Sequence, residues 1–512
     1  MDAEIASLQS KGTFEVVLRS SFPKGITAVP GIWVQRIKRL PSGEFSKFKS
    51  RWCCRGDLQP YEGVTYSPLV GWPTVCTALL MAATQGWTSR QVDFTLAFCQ
   101  SPQPADKPLY MELPQYYKPA GFEGQDVVLK LKKSIYGQAD SPKLFYEHLC
   151  RGIHALGFCP SESDPCLFIH TKDKVMVLNY CDDQIWLNPD NALIEDYVSK
   201  LSALGYDLEL EPKGDIFGFL GIEFKTDGPI IQLSQTGLIE KVIKYTKMTE
   251  ASGKSTPASV QPLGKDLDGE PSSEDWSYSA AVGMLLYLSS NSRPDLNFAV
   301  SQVTRFSHSL RKSHGQPLKR IIRYLIETSN MGIRFEPKPG EGLDGYVDAD
   351  FAGLFGYEDD QDPTSVKSRT GFVLTLFGCP ILWSSKLQTD ITLSSTTAEY
   401  AAFSMAMREL LPLRVLLQEI GTKLGLDHIK QSLVRSTVFE DNMSTLSLIN
   451  VPKMSTRNKY PSLKYHFFGS HIGFDKGIVV KYVKTTEQKA DVFTKGLSPL
   501  QFEVIHKLLM GW

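Results

Sequence analysis

The 512-residue sequence has no apolar run approaching the roughly 20 residues that a membrane helix needs. It has no C-x-x-C pair, and its nine cysteines are an odd number, eight of them before residue 182. That distribution excludes a disulfide framework and a zinc knuckle, and a reducing compartment fits it best. The opening segment, MDAEIASLQSKGTFEVV, is acidic, polar and amphipathic, which argues against a secretory signal. Net charge is only −1, so global charge carries no message about nucleic acid. Internal repeats and low-complexity tracts are also missing.

What is present describes a soluble globular chain: 42% hydrophobic and 22% charged residues, over a length that predicts two to four domains. Basic residues are concentrated locally, in RIKRLPSGEFSKFKSRWCCR (36–55), RKSHGQPLKRIIRYL from Arg311, and KMSTRNKYPSLKYH from Lys453. Any one of these alone reads as a solvated face; together they can line a phosphate-binding groove. Residues 1 to about 230 alternate short apolar runs with helical stretches. Pro, Gly and Ser then become frequent across 251–275, which predicts an exposed linker or long loop. Tyr278 to Glu327 is helical and amphipathic. Beyond it GYVDADFAG and TGFVLTLFGCPILWSS read as strands, TTAEYAAFSMAMRELLPLRVLLQEIG as one long helix, and STVFEDNMSTLSLI as a further strand–helix unit.

Two carboxylates stand side by side in VMVLNYCDDQIWL (175–187), between apolar runs that predict a tight hairpin. Asp favours turns, but a tip made only for turning would more naturally carry Asn-Gly or Asp-Gly. Paired carboxylates are neutralised by a proton, by Arg or Lys, or by a hard cation such as Mg²⁺. A third acid, Asp93 in SRQVDFTLAF near the end of an apolar strand, strengthens the metal reading.

These blocks, QVDFTLAF, LYMELPQ, LKLKKSIYGQADSPKLFYEHL, LGFCPSESDPCLF, VLNYCDDQIWL and FGFLGIEF, resemble in order and spacing the reverse transcriptase of copia-type LTR retrotransposons. YSAAVGMLLYLSSNSRPDLNFAV and its continuation are similar to the helical segment that follows in that family, so the resemblance covers essentially the whole chain. It implies a multidomain α+β and α/β architecture: a right-hand polymerase (fingers, palm, thumb), a helical connection and an RNase H-like α/β domain. The implied divisions are fingers and palm over 1–245, linker and helical thumb or connection over 246–335, and the RNase H-like domain over 336–512. Asp93, Asp182 and Asp183 would then be the metal-binding catalytic triad of the palm. Phe98 would be the aromatic steric gate, Arg51 the clamp on the incoming triphosphate with Arg55 and Lys49 as neighbours, and Tyr136, Gly137, Ser141 and Pro142 would flank nucleotide and template. Gly221 resembles the turn that grips the primer. Cys181 is read as packing rather than reacting.

The C-terminal acids Asp348, Glu399, Asp441 and Asp491 resemble the D-E-D-D set of the RNase H domain in the same family, with Asp491 expected late on a helix. Asp350, two residues after Asp348 on the same strand face, is an alternative ligand, and His466 matches a supporting residue. The resemblance implies RNA-directed DNA polymerase and ribonuclease H activities with two Mg²⁺ (or Mn²⁺) ions per site. The implied partners are an RNA template, a DNA primer, their hybrid and deoxynucleoside triphosphates, with integrase or gag of the same element and no membrane. A cytoplasmic virus-like particle with nuclear access is the implied location.

The sequence departs from the family pattern at Thr95, Leu96 and Ser101, at Gln138 to Ser141, and at Tyr460, Pro461 and Ser462. A gained carboxylate, Asp140, beside a triphosphate pocket would weaken nucleotide affinity if it faced the pocket. Two other readings stay open: a decayed relic that binds nucleic acid without turnover, and a nuclease whose polymerase half is scaffold. The chain is expected to be a processed piece, a truncated copy or a gene model.

Overall fold

The computed structural model describes the chain except residues 22, 24, 40–44, 273, 339, 359–360, 427–434, 450–468 and 474–475. The third basic cluster, the Tyr460–Pro461–Ser462 departure and His466 lie outside the described residues. The chain forms two compact units, residues 1–70 with 88–216, and 71–87 with 217–512.

The strands of the first unit are β1 (Phe14–Leu18), β2 (Gly31–Arg39), β3 (Phe45–Cys54), β4 (Thr88–Phe94), β5 (Tyr110–Met111), β6 (Val127–Leu131), β7 (Cys159–Pro160), β8 (Leu167–His170), β9 (Val175–Tyr180), β10 (Asp183–Asn188) and β11 (Leu210–Asp215). They make a six-stranded sheet in the order β11-β4-β10-β9-β8-β7, a three-stranded sheet β1-β6-β5, and the β2–β3 hairpin, which carries the first basic cluster. The β9–β10 hairpin closes on two residues, Cys181 and Asp182, with Tyr180 paired to Asp183. Cys181 takes φ 55°, a region that costs a non-glycine residue about 1–3 kcal/mol. Its flanks outweigh that strain. Val175, Val177 and Trp186 are buried in one core with Phe145, Leu149 and Ile153 of helix Ser141–Ala155 and Ile194, Val198 and Leu201 of helix Asn191–Ala203. Each such side chain contributes roughly 1.5–3 kcal/mol.

The second unit contains β12 (Gly218–Phe219), β13 (Ile222–Asp227), β14 (Ile230–Ser234), β15 (Ile333–Phe335), β16 (Leu343–Asp350), β17 (Arg369–Leu376), β18 (Cys379–Leu387), β19 (Ser436–Glu440) and β20 (Ile478–Tyr482). β12 to β15 form one sheet, in which Leu220 and Gly221 make a two-residue turn, both at positive φ as tight hairpins require. The other sheet runs β18-β17-β16-β19-β20, with β16, β17 and β18 antiparallel and β19 and β20 parallel to β16. The block TGFVLTLFGCPILWSS thus divides into β17 and β18, because Phe377 (φ 51°) and Gly378 (φ 80°) reverse the chain. β17 is buried along its whole length, which is why it reads as a continuous apolar run rather than an alternating one. Helix Ser395–Lys423 packs on β16 and β17; its N-terminus is fixed by Ser394 and Thr397, each side chain accepting the other's backbone N–H.

Helices Tyr278–Asn291, Asn297–Thr304 and Lys312–Glu327 precede this sheet. Segment 251–275 has no helix or strand among its described residues, but it is not a free spacer. Arg320 donates to the Thr256 carbonyl (3.1 Å) and hydroxyl (2.6 Å), and Arg323 to the Ser252 carbonyl (2.6 Å), which tie the segment along the last of those helices. Among the described residues no helix is long and apolar enough to cross a membrane.

Candidate active sites

In the first unit, antiparallel register sets Asp183 of β10 opposite Asp93 of β4, and Asp93 opposite Glu211 of β11. Facing residues on adjacent strands carry Cβ atoms only about 4.5–5.5 Å apart. Asp182 sits in the adjoining turn, its carbonyl accepting the Phe94 N–H at 3.0 Å. Burial, then the charges of Asp182 and Asp93, push the Asp183 carboxyl up to about 6. Asp93 is raised by burial and by Asp182, against the pull of Lys213 at 3.9 Å. Lys213 is a nearby cation that the sequence gives no reason to single out, and it is shared with Glu211 at 2.5 Å. Burial pushes the Cys181 thiol up to about 12, so it remains a thiol that packs.

Three of the expected nucleotide-site residues come together. The Arg51 guanidinium lies 4.4 Å from the centre of the Tyr136 ring, which meets Phe98 edge-on at 5.2 Å. Phe98 in turn meets Phe145 edge-on at 6.2 Å, and its ring remains half-buried. Burial, against the pull of Arg51, pushes the Tyr136 phenol well above its usual range. Gly137 follows at φ +80°, where a β-carbon would lie 2.3 Å from the Cys54 carbonyl oxygen. The loop therefore rests backbone-to-backbone on β3, with Cys54 N–H donating to the Tyr136 carbonyl at 2.8 Å. Arg55 is not in the stack: its guanidinium is engaged with Asp57 through two bonds of 2.8 and 2.7 Å. Asp140, the gained carboxylate, is buried and accepts from Gln138 at 2.9 Å.

The second unit draws its acids closer. Asp348 on β16, Glu399 in the long helix and Asp441 just beyond β19 each offer a carboxylate oxygen, all within 4.8 Å of one another. Among the described residues no other triple of His, Cys, Asp or Glu is drawn this tight, so the Asp93–Asp182–Asp183 set is the more open of the two. Burial, then Asp348, Glu440 and Asp441, hold Glu399 far above the usual carboxylate range. Burial and Asp348 also raise Asp441. Glu440, which the sequence reading passed over for its neighbour Asp441, is fully buried and raised mainly by burial.

Asp491 lies outside the triple. It stands on a single 3-10 turn, Lys489–Phe493, rather than late on a helix, and burial together with Asp348 raises it. This turn can approach because Asp348 pairs with Gly371 of β17, where a β-carbon would meet Thr494 and Phe493 at 2.6 and 2.8 Å. The Thr494 hydroxyl donates to Asp348 Oδ2. Lys495 bridges Asp491 (3.0 Å) and Asp348 (3.8 Å).

Both donor sets are oxygen-only, the preference of hard divalent cations. In the second, Glu399 Oε2 and Glu440 Oε2 are buried without a hydrogen-bond partner, which a cation or its water would remedy.

Residues 12–260 match the reverse transcriptase (RNA-dependent DNA polymerase) family. The chain is 30% identical over 523 aligned positions to the retrovirus-related Pol polyprotein from transposon TNT 1-94 of Nicotiana tabacum, covering 99% of this chain and 37% of that protein. To the Pol polyprotein from transposon RE1 of Arabidopsis thaliana it is also 30% identical, over 94% of this chain and 31% of that one. It thus spans about a third of the length of the curated relatives it matches. A solved structure of the foamy viral protease-reverse transcriptase in complex with double-stranded DNA is similar at TM-score 0.49 and 11% identity, over 94% of this chain and 69% of that one. The chain belongs to the copia-type retrotransposon Pol family, as its reverse transcriptase region.

Proposed function

We propose that the chain is an RNA-directed DNA polymerase carrying a second, ribonuclease H, site. In this reading fingers and palm occupy 1–245, the linker with helical thumb or connection 246–335, and an RNase H-like domain 336–512. The observation that carries it is Asp93 facing Asp183 across adjacent strands, with Asp182 in the turn between β9 and β10, inside residues that match the reverse transcriptase family.

Asp93, Asp182 and Asp183 would hold Mg²⁺ or Mn²⁺ in the first site; Asp348, Glu399 and Asp441 would do so in the second, with Asp491 near at hand. Such ions, when bound, activate an attacking oxygen and stabilise the leaving one. The protein supplies positioning. Arg51, with a planar fork suited to phosphate and its face held on Tyr136, would clamp the triphosphate. Phe98, braced by Tyr136 and Phe145, would fill the space of a ribose 2′-hydroxyl. Arg55, already engaged by Asp57, contributes less. In the second site Thr494 and Lys495 fix the Asp348 carboxylate, and an RNA–DNA hybrid would be held through its backbone and shape.

Glu399→Gln is expected to abolish degradation of RNA in a hybrid and to spare DNA synthesis, and Asp182→Asn to do the reverse. Degradation by Glu399→Gln at the wild-type rate, or loss of both activities in both folded variants, would overturn the two-site reading.

A further inference from the structure

A cavity of about 230 Å³ opens in the second unit next to the acidic triple. One water takes a share of about 30 Å³ in the liquid, so the space holds a group of several heavy atoms. Three cationic side chains line it, Arg369, Lys367 and Lys495, against a single carboxylate, Asp350.

Arg369 is the unusual one. It is 3% exposed, and the groups it touches are neutral: the hydroxyls of Ser301 at 2.8 Å and Ser385 at 3.1 Å, the side-chain amide oxygen of Gln302 at 3.5 Å, and the ring of Phe298, 5.3 Å away. A fully buried arginine is ordinarily matched by an acid. Arg293 in the same unit is matched, by Asp295 at 2.8 Å. Asp350 faces Arg369 across β16 and β17 and its charge acts on the guanidinium, but among the described residues no salt bridge joins Arg369 to an acid, and the Asp350 carboxylate is tucked against Gly353, where a β-carbon would collide with it. Burial, then Arg305, brings the Arg369 guanidinium down only to about 10, so it stays charged at neutral pH. One carboxylate set against Arg369 and Lys367 leaves the cavity with an excess of positive charge, which calls for an anion.

The surroundings select the anion. Lys495 lines this cavity and also pairs with Asp348, so cavity and acidic triple are one side chain apart. Tyr357, which also lines the cavity, is 51% exposed, and Phe351 and Phe355 on the same segment after β16 are 41% and 60% exposed. Exposed rings next to cations make a surface on which bases and sugars stack while phosphates meet the charges.

We propose that the cavity is a phosphate site, with Arg369 and Lys367 as counter-charges, that takes a backbone phosphate of the strand lying at the Asp348–Glu399–Asp441 cluster. The proposal rests on the hydrolytic reading of that cluster. Its place is different: Arg369 and Lys367 reach the next phosphate along, and they set how the strand is registered over the acids.

The test is equilibrium binding of an RNA–DNA hybrid to the full chain over a range of salt, every protein carrying Glu399→Gln so that the hybrid is not consumed. Arg369→Gln should weaken binding roughly tenfold or more, as loss of a charged hydrogen bond does. It should also flatten the slope of log K against log salt by about 0.9, the value for one phosphate contact, and Arg369→Lys should keep most of that slope. Where Arg369→Gln does not fold, Lys367→Gln at the cavity edge should give the same flattening. Unchanged affinity and slope in folded variants would overturn the proposal. A rise in melting temperature with inorganic phosphate, lost in Arg369→Gln while the hybrid slope stays constant, would overturn its strand form and leave a free-phosphate site. A flattened slope, together with no RNA cleavage by the chain with Glu399 intact, would keep the phosphate site and refute only the hydrolytic reading.

Discussion

Lys495 and Asp491 form an ion pair of 3.0 Å, and the same ammonium lies 3.8 Å from Asp348. Burial works against the charge of Lys495, but Asp348 and Asp491 outweigh it and raise its pKa. The lysine is thus a built-in counter-ion for acids that repel one another. Lys495→Met should lower metal-free stability by about 1–2 kcal/mol, between the values for exposed and buried pairs, since its side chain is 43% exposed. Saturating Mg²⁺ should then raise the melting temperature of the variant more than that of the wild type, because a bound ligand stabilises by mass action. Equal shifts would show that Lys495 does not share the cation's electrostatic task.

Asp183 predicts a pH dependence. Its folded pKa of about 6 lies above the unfolded value of about 3.9, so between these values the native state holds the extra proton. The contribution of Asp183 to metal-free stability should therefore fall as pH rises from about 4 to about 6 and level off above that. Asp183→Asn lacks this term. The melting temperature of the variant minus that of the wild type should grow through the same window, and Mg²⁺ should shrink the gap. A difference independent of pH would contradict the electrostatic account.

Gly137→Ala tests the loop that carries the Arg51–Tyr136 stack. A left-handed backbone costs a residue with a β-carbon about 1–2 kcal/mol, and here that carbon would also lie 2.3 Å from the Cys54 carbonyl oxygen. The loop must lift from β3, taking Tyr136 with it. Primer extension should show a raised KM for deoxynucleoside triphosphate, with kcat less affected. Unchanged kinetics would detach this loop from nucleotide binding.

Much of this was legible in the sequence because it is written locally. The hairpin around Cys181 and Asp182 shows as two apolar runs meeting at a polar tip, and helix Ser395–Lys423 as one long helical stretch. Pairings between distant strands are not local, so the register that sets Asp93 against Asp183 appears only in the structure. Segment 251–275 reads as a long loop from its Gly, Pro and Ser, and it is one, but composition does not record the arginines that bind its carbonyls. Lys495, four residues after Asp491, reads as a solvated charge until the short 3-10 turn brings it against Asp348. Arg369 gave no signal, since an arginine opening a strand is ordinarily solvated; only its burial marks it.

The most direct test of the central claim is primer extension on poly(rA)/oligo(dT) with Mg²⁺ or Mn²⁺, comparing wild type with Asp182→Asn. The account predicts incorporation by the wild type and none by a variant that still folds and binds the template–primer. Incorporation that survives Asp182→Asn, or a folded, hybrid-binding wild type that incorporates nothing with either metal, would contradict it.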